Sequence, residues 1–343
     1  MHIPDGYLSP ATAAVMYAAS LPFWYRATQK LKTLLTGRSV PLIALFAALA
    51  FVIMMFNVPL PGGTTGHAVG SVLAAIVLGP WAASLAVSVS LIIQAFFFGD
   101  GGILAIGANA FNMAIAMPFV GFYLYRWLSG NASLISRRRV AAAAIAAYIA
   151  INVAALLTAV ELGIQPLFFR DAAGHALYFP YGLDVAVPAM LLGHLTIAGF
   201  VEAIATGAVL VWIQRTHPQL LQASSGAKPE TAGGLSRWAW GILVALILLT
   251  PLGLLAPGTA WGEWSREELQ KIGLGYIPAG FDRWSNVWSA PLSGYDLPLL
   301  NNATAGYVVS ALLGVGLVLV IVSGLLWVLR RLSHRTTVAA NDG

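Results

Sequence analysis

Nine apolar runs divide this 343-residue chain, at about 8–25, 40–58, 67–80, 82–98, 103–127, 139–161, 186–213, 238–255 and 304–329. A helix needs about 20 apolar residues to cross the hydrocarbon core of a bilayer. Inside that core every backbone polar group must be paired within the protein, so evenly apolar runs of this length are read as helices. The third run is short and bounded by glycine, and its boundary with the fourth, at Gly79-Pro80, reads as a tight turn. Hydrophobic residues make up 59% of the chain and charged residues 9%, where a soluble domain carries about a quarter charged. The expected fold is therefore an all-α polytopic membrane protein.

The basic residues set its orientation. Arg26, Lys30, Lys32 and Arg38 follow the first run; Arg126, Arg137, Arg138 and Arg139 follow the fifth. Arg215, Lys228 and Arg237 follow the seventh, and Arg330, Arg331 and Arg335 follow the ninth, so 14 of the 18 Lys and Arg fall on one side. The positive-inside rule then puts the N-terminus outside, the C-terminus in the cytoplasm and an odd number of crossings between them. The first run lacks the basic lead of a signal peptide, with Pro4 and Asp5 in its place.

A polar, Gly/Ser/Pro-rich stretch follows the seventh run and reads as a cytoplasmic linker. The chain thus divides into a seven-span unit (1–215), a linker (216–236) and a two-span region (237–343). In the last, an outside loop at 257–302 carries Trp261, Trp264, Trp284 and Trp288. These rings are expected at the membrane interface or packed on the first unit.

The chain opens Met1-His2-Ile3-Pro4-Asp5-Gly6. Methionine aminopeptidases need a small second residue, so a leading Met before His2 is expected to stay and keep its α-amine. That amine, the His2 amide nitrogen and the His2 imidazole can chelate one ion through fused five- and six-membered rings. Three nitrogens then lie in a plane with a fourth corner open, a geometry that suits Ni(II) or Cu(II). Pro4 and Gly6 stiffen and turn the chain behind the chelate.

Of the other histidines, only His67 stands at the outer end of a run and behind a Gly-rich turn, Pro61-Gly62-Gly63-Thr64-Thr65-Gly66-His67. It is the natural donor for the open corner. The chain has no Cys, so thiolate ligation and disulfides are excluded.

Polar residues within apolar runs are costly and mark function or interhelical bonding. Gln94, Asn109 and Asn112 are candidates to orient a ligand from its outer side. Asp100, between glycines, is read as part of an outside turn. His194 and Glu202, eight positions apart, are read as a structural or ion-path pair. Ala14 and Ala18, and Ala44 and Ala48, form small-residue faces that let a helix approach closely, from a partner subunit or within the chain.

There is no phosphate-binding Gly-x-x-x-x-Gly-Lys-Ser/Thr loop, no His-Glu-x-x-His and no grouped Ser/His/Asp, so an enzyme is unsupported. The basic residues form no continuous stripe, which argues against nucleic acid.

The string Met1-His2-Ile3-Pro4-Asp5-Gly6-Tyr7-Leu8-Ser9-Pro10 resembles the start of the NikM/CbiM family, the substrate-capture (S) subunits of energy-coupling-factor nickel and cobalt transporters. The resemblance runs on through Gly62-Gly63-Thr64-Thr65-Gly66-His67, Leu78-Gly79-Pro80-Trp81-Ala82, the stretch 94–102, Gly107-Ala108-Asn109-Ala110-Phe111-Asn112-Met113, Gly193-His194 and Glu202-Ala203. It covers about residues 1–215.

It implies a seven-helix subunit of the bacterial inner membrane whose N-terminus enters the outer half of the bundle. The amine of Met1, the amide and imidazole of His2, and His67 would hold Ni(II) or Co(II), carried as substrate and with no organic cofactor. Partners would be a transmembrane coupling subunit and ABC-type ATPases, neither of which lies in this chain. Residues 236–343 resemble the NikN/CbiN-like accessory component of such systems, without the Pro-Asp-Gly-Leu-Glu string of one class. The alternative is a self-sufficient secondary metal transporter or channel using His194 and Glu202.

Overall fold

The structure, a computed structural model, describes residues 1–34, 39–62, 64–222, 237–256 and 258–341, with the side chains of 33–34, 237–238 and 332–341 excepted. Arg38, Gly63, Lys228, most of the linker and the side chains of Arg237, His334 and Arg335 therefore lie outside the described residues.

The chain is mostly helical. Helices α1 (Pro10–Leu34) and α2 (Ser39–Met54) lead to a short hairpin of β1 (Val58–Leu60) and β2 (Thr64–Gly66), paired antiparallel with Pro59 opposite Thr65. Next come α3 (Ser71–Leu78) and α4 (Pro80–Ile93), the latter running into a π-helical turn at Gln94–Phe98. A short α5 (Ile106–Asn109) passes through π-helical Ala110–Ala116 into α6 (Met117–Ser129). Then follow α7 (Arg137–Gly163), α8 (Gln165–Phe168) and α9 (Leu183–Gly193), which a third π-helical turn, His194–Ala198, joins to α10 (Gly199–Thr216).

The C-terminal region holds α11 (Arg237–Leu249), two short loop helices, α12 (Arg266–Lys271) and α13 (Ala279–Trp284), and the long α14 (Ala303–Asn341).

Among the described residues, five helical stretches are long and apolar enough to cross a membrane: Pro80–Phe98, Ile106–Ser129, Arg137–Phe168, Leu183–Thr216 and Ala303–Arg331. Two more apolar helices, Ser39–Met54 and Ala239–Leu255, are shorter. The third apolar run of the sequence is the eight-residue α3, about 12 Å of helix, well short of a bilayer core. Its start is set by Gly70, whose left-handed φ of 73° breaks the helix on that side, and it stops at Gly79 before Pro80.

Two apolar cores hold the assembly. One joins the N-terminal segment, α3, α6 and α7. The other joins α2, α4 and α14, where Phe51 and Phe98 meet Tyr295 and Tyr307. Ala44 and Ala48 are buried in this second core, so their small face is used for internal packing. Ala14 and Ala18 point outward from α1 beside exposed Val15 and Leu21.

Candidate metal centre

The first nine residues do not lie on the surface. Met1, His2, Ile3 and Tyr7 are all buried, and the segment enters one end of the bundle. Its backbone is gripped along its length. Asn109 pairs with both polar groups of Ile3, accepting from Ile3 N–H (2.8 Å) and donating to Ile3 C=O (3.1 Å). The Asp5 carboxylate accepts from the N–H groups of Ile103 (3.0 Å) and Leu104 (2.8 Å). Gly6 turns the chain with φ 89°, in a place where any Cβ would press on the Phe281 backbone. Ser9 N–H donates to Gln165 (3.0 Å) and fixes the exit into α1.

This grip brings His2 to His67. The hairpin and the loop before α3 carry His67, and its Nε2 lies 3.2 Å from His2 Nδ1. His67 Nδ1 donates to Ala68 C=O at 3.0 Å. A carbonyl can only accept, so the proton sits on Nδ1 and Nε2 keeps a lone pair facing His2. Two nitrogens bound to adjacent corners of one ion, each about 2 Å away from it, stand about 3 Å apart. The observed separation needs little adjustment to admit an ion. His67 lies in a loop outside the helices. Burial, then the nearby amine and His2, hold its imidazole well below the ordinary 6.5, which favours the neutral, ligating form.

Two carboxylates complete the surroundings. Asp100 Oδ1 lies 2.9 Å from His2 Nδ1, and its Oδ2 accepts from the Tyr295 hydroxyl at 2.6 Å. Burial pushes the Asp100 carboxyl up, but the contact with His2 and the further help of His67 and Tyr295 outweigh it and leave the group below its usual range. Glu263 pairs with the Met1 amine at 3.4 Å. His2 Nε2 is buried with no hydrogen-bond partner. A cavity of about 810 Å³ reaches these groups and is lined in part by His2, His67, Asp5, Asp100 and Glu263. No cluster of three His, Cys, Asp or Glu side chains with metal-holding geometry occurs among the described residues.

The C-terminal loop forms part of the enclosure. Thr65 bridges Ala260, and Thr64 donates to Thr259 C=O (2.9 Å). Tyr7 donates to Trp264 C=O (2.7 Å), and Trp261 and Trp264 pack on Phe179 and Tyr181. Trp288 donates to Phe96 C=O (2.8 Å). Three of the four tryptophans noted in the sequence thus pack on the first unit. Trp284 instead lies under Arg283.

The remaining candidates separate. Gln94 is fully buried beside the centre, 3.1 Å from Tyr295 Oη and 3.5 Å from Asp100. Asn109 acts on Ile3. Asn112 turns away and donates to Glu161 (2.9 Å) and Thr158 (3.1 Å). His194 donates to Met190 C=O (2.8 Å), while Glu202 accepts from Val69 (2.7 Å) and Gly70 (3.1 Å), so their bonds go to different partners. Asp100, Glu263 and Tyr295 were not foreseen as part of the centre. Asp100 reads as a turn residue because glycines flank it, and Glu263 and Tyr295 lie more than 160 residues beyond it.

An apolar helical bundle that encloses its own N-terminus, two adjoining imidazoles and two carboxylates defines a multi-pass membrane protein with a polar centre inside it. Residues 2–220 match the family model described as the cobalt uptake substrate-specific transmembrane region, and residues 235–331 match the PDGLE domain. The fused nickel transport protein NikMN of Rhodobacter capsulatus is 53% identical over 93% of this chain and 95% of its own. The probable fused nickel transport protein LarMN of Lactiplantibacillus plantarum is 44% identical over 95% of this chain and 97% of its own. A solved structure titled as a truncated transition metal transporter aligns with a TM-score of 0.59 at 55% identity, covering 63% of this chain and all of that one. The chain belongs to the CbiM family of cobalt and nickel uptake proteins, carrying a PDGLE domain at its C-terminal end. It is a multi-pass membrane transport protein and not an enzyme, and the bacterial inner membrane fits that class. The PDGLE domain is matched over residues 235–331 although the chain lacks the Pro-Asp-Gly-Leu-Glu string itself.

Proposed function

We propose that this chain is the substrate-binding subunit of an energy-coupling-factor transporter importing Ni(II) or Co(II). The ion is held in a plane by the Met1 amine, the His2 amide and imidazole, and His67. The observation that carries this reading is the buried N-terminal segment with His2 Nδ1 at 3.2 Å from His67 Nε2. Binding releases one proton from the Met1 amine and one from the His2 amide, while the proton on His2 Nδ1, which faces both His67 Nε2 and Asp100, moves to the unpartnered His2 Nε2, so that both rings turn a lone pair to the ion.

In this reading the unit 1–215 contributes seven membrane elements and 237–343 two more, joined by the cytoplasmic linker 216–236. The N-terminus faces outside in this reading, which the 14 basic residues on the opposite side support. The outward small-residue face at Ala14 and Ala18 suits the approach of the transmembrane coupling subunit. ABC-type ATPases on that subunit supply the energy. All-nitrogen planar ligation leans toward nickel, although the two ions lie close in affinity order.

The test is equilibrium Ni(II) binding to the purified chain, after mass spectrometry has shown Met1 to be present and unblocked. His67→Ala, or one residue inserted before His2, is expected to abolish high-affinity binding. Undiminished affinity in either variant rejects the site. In liposomes the chain alone should carry little metal; a steady flux without ATPase partners favours the secondary-transporter reading instead.

A further inference from the structure

Glu202 sits near the middle of the Leu183–Thr216 stretch with no exposed surface. A carboxyl group at that depth is expensive unless it is put to use. Both its oxygens serve one place. Oε2 accepts from Val69 N–H at 2.7 Å, and Gly70 N–H lies 3.1 and 3.2 Å from the two oxygens. These N–H groups precede and open α3, where no intrahelical acceptor exists for them. A negative group is also favoured at that helix end. The capping residue at this position is ordinarily Ser, Thr, Asp or Asn. Here it is Gly70, which has no side chain, and the cap arrives from α10 instead.

The Val69 N–H belongs to the peptide plane whose carbonyl is Ala68 C=O. That carbonyl is the acceptor for His67 Nδ1. One peptide unit thus joins the Glu202 carboxylate on its N–H side to the His67 ring on its C=O side. Hydrogen bonds in such a chain polarise one another, so the carboxylate makes the carbonyl a stronger acceptor. Partners of this kind around a ligating histidine fix its tautomer and raise its basicity.

We propose that Glu202 is a positioning residue for His67, acting through the Ala68–Val69 peptide. It holds the peptide in place and strengthens its carbonyl, so that His67 keeps its proton on Nδ1 and presents Nε2 toward His2. The consequence for metal affinity rests on His67 being a ligand; the consequence for the tautomer does not.

Nuclear magnetic resonance of the metal-free full chain with ¹⁵N-labelled histidine tests this, with the His67 signals assigned by their loss in His67→Ala. The wild-type ring should be in the Nδ1–H form. In Glu202→Ala that preference should fall about tenfold, the worth of one buried hydrogen bond. Glu202→Gln, which keeps an acceptor oxygen but not the charge, should retain the tautomer while its Nδ1–H proton resonance moves upfield. A folded Glu202→Ala chain with an unchanged tautomer overturns the proposal. Where Glu202→Ala does not fold, an unmoved resonance in Glu202→Gln overturns it equally.

Ni(II) titration of the same variants adds the second arm, with Glu202→Ala expected to lose about tenfold in affinity. A wild-type chain with a pure Nδ1–H ring and no Ni(II) binding rejects the metal centre and leaves the positioning role supported.

Discussion

The Tyr295 hydroxyl donates to Asp100 Oδ2 at 2.6 Å, while the other oxygen of that carboxylate lies 2.9 Å from His2 Nδ1. A side chain from the C-terminal loop therefore completes a carboxylate that faces the N-terminal histidine. The loop and the centre are linked by bonds, not merely by proximity.

Removing that hydroxyl tests the link. Tyr295→Phe keeps the ring in its stack with Phe98 and deletes the charge-assisted bond to Asp100 together with the bond that the hydroxyl accepts from Gln94. A cost of about 1–3 kcal/mol is expected, read as a lower thermal midpoint of the metal-free chain. An unchanged midpoint would mean that the loop contributes nothing at Asp100.

Asn109 and Asn112 should behave differently despite their spacing. Asn109→Leu strips Ile3 N–H of its acceptor, at about 1–3 kcal/mol, and should weaken Ni(II) binding by tenfold or more. Asn112→Leu leaves Glu161 without its amide donor, and should lower thermal stability while preserving Ni(II) affinity. Equal losses of affinity in both variants would refute the assignment of Asn109 to the N-terminal segment.

The pH response follows from His67. Its folded value lies well below 6.5, so the unfolded chain binds the extra proton between those limits and stability rises with pH there. The thermal midpoint of the metal-free chain should therefore drop as pH falls below about 6.5, and this drop should shrink in His67→Gln. Asp100, held below its usual 3.8, adds its own loss only at still lower pH. Metal affinity should fall in the same direction, because the amine and amide protons return.

Much of this was legible in the chain. Long apolar runs gave the helices, and the start Met1-His2 with His67 behind its glycines gave the three residues that the fold brings together. Two kinds of feature were not. The first is helical phase. Asn109 and Asn112, and likewise His194 and Glu202, look like residues of one face when counted at 3.6 per turn. A π-helical segment, Ala110–Ala116 or His194–Ala198, lies across each pair. The wider turn rotates everything after it and sends the second residue to another neighbour. The second is long-range closure. Nothing near Glu263 or Tyr295 in sequence signals that they approach Met1 and Asp100, because tertiary packing creates both approaches: Tyr295 joins the core of α2, α4 and α14, and Trp261 and Trp264 on either side of Glu263 pack on Phe179.

The most direct measurement is the absorption and magnetism of the full chain titrated with Ni(II). The account predicts one ion per chain, in a yellow, diamagnetic complex, as four nitrogens around a square-planar low-spin ion require. A pale, paramagnetic complex of octahedral type, or no saturable uptake at all, would contradict it.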